Sequence, residues 1–179
     1  QQGVALARID LGPNPATVTP AAATPHAVAY ARDPASERLF YHRRYYSTPP
    51  GTGAAVAIAD TVFRLSSTGA AEAVWGRTPV PGSLSEGMDG FTVLAGQLIV
   101  SVHDTRQPMG TPGLPPPPPE TRSRLLRIED DGSETTISTR VTSTDSRWTR
   151  LSAAPDGRHL VAASTLANQR DLYLSDLGN

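Results

Sequence analysis

Side chains that could do chemistry are concentrated at two places in this chain. The first is the run His42-Arg43-Arg44-Tyr45-Tyr46, its densest basic and aromatic cluster. Two neighbouring guanidinium forks could grip a carboxylate or phosphate in bidentate fashion, with the tyrosine rings stacking alongside. The same residues could also be a strand end carrying solvated arginines. The second place is the pair His103-Asp104. Each group follows a β-like run, so adjacent repeats would set both on one rim. The candidate ligand-binding residues are therefore His42, Arg43, Arg44, Tyr45, Tyr46, His103 and Asp104. No residue is assigned a catalytic role.

Other chemistries lack their signatures. The remaining histidines, His26 and His159, do not pair with any other at metal-ligand spacing, so no metal and no cofactor is expected. Gly51-Thr52-Gly53 has no following Lys and is not a phosphate loop. No Gly-x-Ser-x-Gly elbow is present. Asp130, Asp131 and Asp176 read as turn caps that bond local backbone. Trp75 and Trp148 read as packing residues at boundaries between repeats.

Composition narrows the class further. A net charge of -1 argues against a broad nucleic-acid footprint. Every basic residue is Arg, so any anion site would use its rigid fork. Cysteine is absent, which excludes disulfides and thiolate metal sites. No apolar run is long enough for a membrane span, and no charged segment precedes an apolar one as in a signal peptide. The chain begins at Gln1, as a processed or trimmed chain or a fragment would. The Thr, Pro and Ala-rich character leans towards a secreted or periplasmic setting.

The elements that must position these groups are strands. No segment carries a clean helical stripe, and β-rich runs are bounded by Gly, Pro, Asp and Ser. One strand-turn-strand phrase recurs about every 60 residues. It is clearest as Trp148 to Ala163, with a turn at Pro155-Asp156-Gly157. It returns at Ala27 to His42 around Asp33-Pro34, and at Gly90 to Val102 around Ala95-Gly96. A second phrase runs from a strand into a Gly-ending turn, at Thr61 to Gly69 and Arg124 to Gly132, and more loosely at Asp171 to Gly178 and Ala5 to Gly12. Short strands then follow at Ala16–Thr19, Ala71–Trp75 and Glu134–Ser138. With four strands lettered A to D, the chain reads C-D, A-B-C-D, A-B-C-D, A-B-C. Leu39, Leu98 and Leu160 open the B strands.

Four-stranded antiparallel repeats are the unit of a β-propeller. Ser152 to Ala163, followed by Arg170 to Leu177, resembles a WD40-like or TolB-type propeller repeat, with its Pro-Asp-Gly turn and later Asp-Leu-Tyr strand. The close match covers about residues 148–178. The fold class is thus all-β and β-propeller-like, with about three four-stranded blades. The expected units are 1–23, the last two strands of a split blade; 24–76, a blade; 77–139, a blade with a Pro-rich loop at 107–122; and 140–179, the first three strands of a blade. Propellers of this kind need at least four blades to close, which makes the chain a partial propeller or half of an oligomeric one. The resemblance implies a protein-binding scaffold, or a gating or substrate-presenting domain of a larger hydrolase.

Loop lengths point the same way. A–B and C–D turns are tight. The B–C connections (Arg43 to Asp60, His103 to Thr121) and D–A connections (Arg77 to Asp89, Arg140 to Arg147) are long and leave one end of a meander. Such one-sided insertion often marks a binding face, although neutral expansion would look the same. Pro115 to Pro119 favour a polyproline II rod, either a ligand for an aromatic groove or a stiff spacer. The expected function is a non-catalytic binding or scaffold module offering these loops to a protein or cell-surface ligand. Two alternatives remain open. One is a segment of a larger hydrolase or peptidase, with its catalytic residues mostly elsewhere or converging from His42, His103 and Asp104. The other is a subunit that self-associates through edge strands such as Val4–Leu11 and Asp171–Leu177.

Overall fold

A computed structural model describes residues 7–10, 17–20, 27–33, 36, 38–51, 53–66, 68–80, 83–142, 147–154, 156–166 and 169–176. Among these residues there are thirteen strands and no helix. Strands β1 (Ala7–Asp10) and β2 (Thr17–Pro20) form a two-stranded sheet. Strands β3 (Ala27–Arg32), β4 (Leu39–Ser47), β5 (Val56–Leu65) and β6 (Ala71–Arg77) form the first four-stranded sheet. Strands β7 (Ser85–Leu94), β8 (Gln97–Arg106), β9 (Glu120–Ile128) and β10 (Glu134–Thr142) form the second. Strands β11 (Arg147–Ala153), β12 (His159–Leu166) and β13 (Gln169–Asp176) form a three-stranded sheet. Every pairing is antiparallel and joins chain neighbours, so each sheet is a meander. The four sheets correspond in order to the lettered runs C-D, A-B-C-D, A-B-C-D and A-B-C.

Turn chemistry explains the registers. Ala95 and Gly96 both adopt positive φ (50° and 81°). Such a two-residue turn matches strand twist and pairs Leu94 with Gln97. The Gly157 N–H donates to Ala154 O at 3.1 Å, and Asp156 Oδ1 accepts the Arg158 N–H at 2.9 Å. Gly69 and Gly132 close their turns the same way, on Ser66 O and Glu129 O.

The long connections are shorter than expected. Strand β4 continues to Ser47 and β5 starts at Val56, so Arg43 to Tyr46 and Ala57 to Asp60 are ladder residues, not loop. Likewise β8 runs to Arg106, and β7 begins at Ser85. Alternating residue character extends pairing past the point where the apolar run ends. The Pro-rich connection folds back on itself. Gln107 Nε2 donates to Pro117 O, and the Leu114 N–H donates to Thr111 O at 3.1 Å.

The second four-stranded sheet lies between its neighbours. One face of it (Met88, Phe91, Val100, Val102, Leu126) packs on Phe40, Val62 and Trp75 of the first sheet. The other face (Leu94, Ile99, Leu125) packs on Trp148, Leu160 and Ala162 of the three-stranded sheet. This is why β8 is buried without a break from Leu98 to Asp104. A strand covered on both faces shows no polar alternation. The opening strands meet too: β7 contacts both β3 and β11. Both tryptophans sit at these sheet-sheet contacts, and Trp75 Nε1 donates to Glu134 Oε1 at 3.0 Å across one of them.

Candidate functional site

Strand β4 sends its candidate residues to opposite faces. His42 and Arg44 turn inward onto Asp60 of β5, the residue directly opposite Arg44 in the ladder. His42 Nε2–H donates to Asp60 Oδ1 at 2.6 Å. Arg44 Nε donates to the same oxygen at 2.8 Å, and its Nη2 to Oδ2 at 3.3 Å. Across the sheet boundary, the Met88 N–H donates to Asp60 Oδ2 at 2.9 Å, while Arg44 Nη2 donates to Met88 O at 2.5 Å. Burial alone would raise the Asp60 carboxyl. The bonds from His42, Arg44 and Met88, with the charge of Arg44, outweigh burial and hold it at about 2.

Arg43 and Tyr45 lie on the other face, where the guanidinium stands 4.6 Å from the ring centroid. Tyr46 is exposed. Asp104 is buried and turned away from His103, with Oδ2 3.1 Å from Arg106 Nε. The expected cluster therefore divides: His42, Arg44 and His103 come together, whereas Arg43, Tyr45 and Asp104 do not join them.

His103 of β8 has its own partners. Its Nδ1–H donates to Asp89 Oδ2 at 2.9 Å, and Ser85 Oγ lies 3.0 Å from Nε2. Arg147 Nη1, from β11, is 3.2 Å from the same Nε2 and 3.7 Å from Asp89 Oδ1. A guanidinium can only donate. Nε2 is therefore the acceptor, Nδ1 carries the proton, and the Ser85 hydroxyl donates to the ring.

Backbone irregularity builds this arrangement. Met88 pairs with Val102 and Gly90 with Ser101, leaving Asp89 as the extra residue of a β-bulge. A bulge re-aims its side chain, here onto His103. Gly87 lies directly opposite His103 and leaves room for the ring. A Cβ on Gly87 would stand 3.6 Å from His103 Cε1 and 3.2 Å from Arg44 Nη2, so both polar groups meet at this glycine.

No family model matches this chain, and no curated protein or solved structure matches it either. Among the described residues no group of His, Asp and Glu has the arrangement to hold a metal, and no helix is long and apolar enough to cross a membrane.

Sequence reasoning missed Asp60, Ser85, Gly87, Asp89 and Arg147. All five lay inside or at the margins of segments read as connections. Only strand register places Asp60 opposite Arg44, and only the bulge turns Asp89 to His103.

Proposed function

We propose that this chain is a protein-binding module built from propeller-like blades, with its B–C and D–A connections forming the contact face. The observation that carries this reading is where the large apolar side chains are exposed. Among the described residues these are Tyr46, Val56, Ile58, Val80, Leu84, Met109, Leu114 and Val141. All belong to the strand ends and connections at one end of the meanders, and none to the A–B or C–D turns. Isolated exposed hydrophobics are ordinary, but their gathering on one end is the mark of an interaction surface. Met109 and Leu114, on the folded Pro-rich connection, are the most exposed. The near-neutral charge of the chain also suits a protein partner better than a polyanion.

Three features support the blade reading. Sheets of four strands repeat, they stack face to face in chain order, and a bulge recurs on each opening strand at Val28, Asp89 and Thr149. The resemblance of residues 148–178 to a WD40-like or TolB-type repeat agrees with it.

A photo-crosslinking residue at Met109 tests the face, with a control at Ala95 on the opposite end. The expected result is a discrete protein adduct from position 109 alone. It should be displaced by unlabelled chain, but not by a Tyr46→Ser, Leu84→Ser, Met109→Ser, Leu114→Ser chain. Equal yields at both positions would sink the proposal. Light scattering on the uncrosslinked chain separates a foreign partner from a second copy.

A further inference from the structure

We propose that Ser85 is a nucleophile activated by His103 and positioned by Asp89, so that this chain cleaves short, uncharged acyl esters. This goes beyond the binding reading and does not depend on it. It rests on the ordered relay Ser85 Oγ, His103 Nε2, His103 Nδ1, Asp89 Oδ2, with links of 3.0 and 2.9 Å. That is the geometry of an acyl-transfer nucleophile with its base and orienting carboxylate. The ring is in the tautomer the chemistry requires, with its Nε2 lone pair shared between the Ser85 hydroxyl and the Arg147 Nη1–H. Ser85 is exposed at the first position of β7, while His103 is buried, so the nucleophile faces solvent and its base does not.

The relay is not a requirement of the sheet. The recurrent bulge holds Val28 in the first sheet and Thr149 in the last; only the middle sheet places a carboxylate there. The cavities lined by Trp75 and Glu134, and by Tyr30 and Leu151, lie elsewhere. An acyl group would approach Ser85 from the open face, which suits short acyl chains.

The steps balance with water as the only co-reactant. Ser85 Oγ attacks the ester carbonyl carbon, and its proton passes to His103 Nε2. The Arg147 guanidinium, which can no longer donate to the protonated Nε2, turns to the new oxyanion. Collapse breaks the bond to the alkoxy oxygen, and the proton on Nε2 goes to the departing alcohol. Water then attacks the acyl-serine carbonyl, gives its proton to Nε2, and the carboxylic acid leaves as that proton returns to Ser85 Oγ. Ser85 and His103 are the catalytic residues; Asp89 is a positioning residue.

The test uses the whole chain with diisopropyl fluorophosphate and with p-nitrophenyl acetate. The expected result is one diisopropylphosphoryl group per chain, mapped to Ser85 and absent in Ser85→Ala. The labelling rate should fall about 100-fold in Asp89→Asn, with a changed pH profile, and recover in part in Asp89→Glu. Ser85→Ala should abolish acetate release. No adduct on Ser85 in folded wild-type protein overturns the proposal. So does an adduct whose rate is the same in Asp89→Asn and His103→Gln, since that is the reactivity of any exposed serine. Should those variants fail to fold, the wild-type labelling rate decides. A rate that rises with hydroxide without the inflection of an ionising base overturns it equally.

Discussion

Asp60 of the first four-stranded sheet accepts the Met88 N–H of the second at 2.9 Å. A carboxylate on one sheet thus takes the place of a ladder partner on the next. His42 and Arg44 complete its shell from the same side. The sheets are therefore joined by a charged hydrogen-bond network at one end and by apolar packing below it.

Acid should open this junction. The Asp60 carboxyl is lowered from 3.8 to about 2 in the fold. A lowered folded value adds stability above the unfolded value, and that stability disappears as pH falls through the folded one. The network should contribute about 2 kcal/mol at neutral pH, lost between about pH 4 and pH 2. Urea midpoints measured across that range should fall steeply for wild type. They should fall less for Asp60→Asn, which has no charge to lose there.

Arg44 and Arg43 should behave as opposites despite being neighbours. Arg44→Ala leaves the Asp60 carboxylate buried with fewer donors and should cost about 3 kcal/mol. Arg43→Ala removes one cation-π contact from the outer face and should cost about 0.5–1 kcal/mol. Equal losses in chemical denaturation would contradict the division of β4 into an inner and an outer row.

Two glycines on β7 offer a graded test of close approach. A Cβ on Gly90 would stand 3.2 Å from the Thr149 carbonyl oxygen of β11. Backbone cannot swing aside, so Gly90→Ala should push the sheets apart at a cost of about 1–3 kcal/mol. At Gly87 the nearest atom, also at 3.2 Å, is the guanidinium end of Arg44. That side chain can yield, so Gly87→Ala should lower the thermal midpoint less. The reverse order would show that the Asp60 network is stiffer than the backbone contact.

The two tryptophans should respond differently to the same change. Trp75 Nε1 donates to Glu134 across the sheet boundary, whereas buried Trp148 Nε1 has no hydrogen-bond partner among the described residues. Both Phe replacements lose some packing area. Only Trp75→Phe also loses a hydrogen bond, the one to solvent-exposed Glu134, which adds about 1 kcal/mol. Comparing the unfolding free energies of the two variants by circular dichroism checks this difference.

Much of the local architecture is legible without coordinates. Leu39 opens β4, and Leu98 and Leu160 are the second residues of β8 and β12. Turns at Ala95-Gly96, Gly69, Gly132 and Gly157 form where positive φ is needed. These follow from residue type and short spacing, which act within a few bonds. The grouping of strands into meanders follows from the turns, because a tight turn leaves antiparallel neighbours no choice.

The polar groups were only half legible. His42, Arg44 and His103 stand out as residue types, but their partners do not. Asp60 and Asp89 look like loop carboxylates, and Ser85 is one serine among many. The amino-acid sequence alone determined an all-β chain of repeated meanders with its longer connections on one end. The tertiary structure alone decided which carboxylate faces which histidine. Pairing across β4 and β5 depends on register, the bulge at Asp89 turns one side chain out of the alternation, and Arg147 reaches His103 only once the third sheet is stacked on the second. Those contacts join residues far apart in the chain, and no local preference of the residues encodes them.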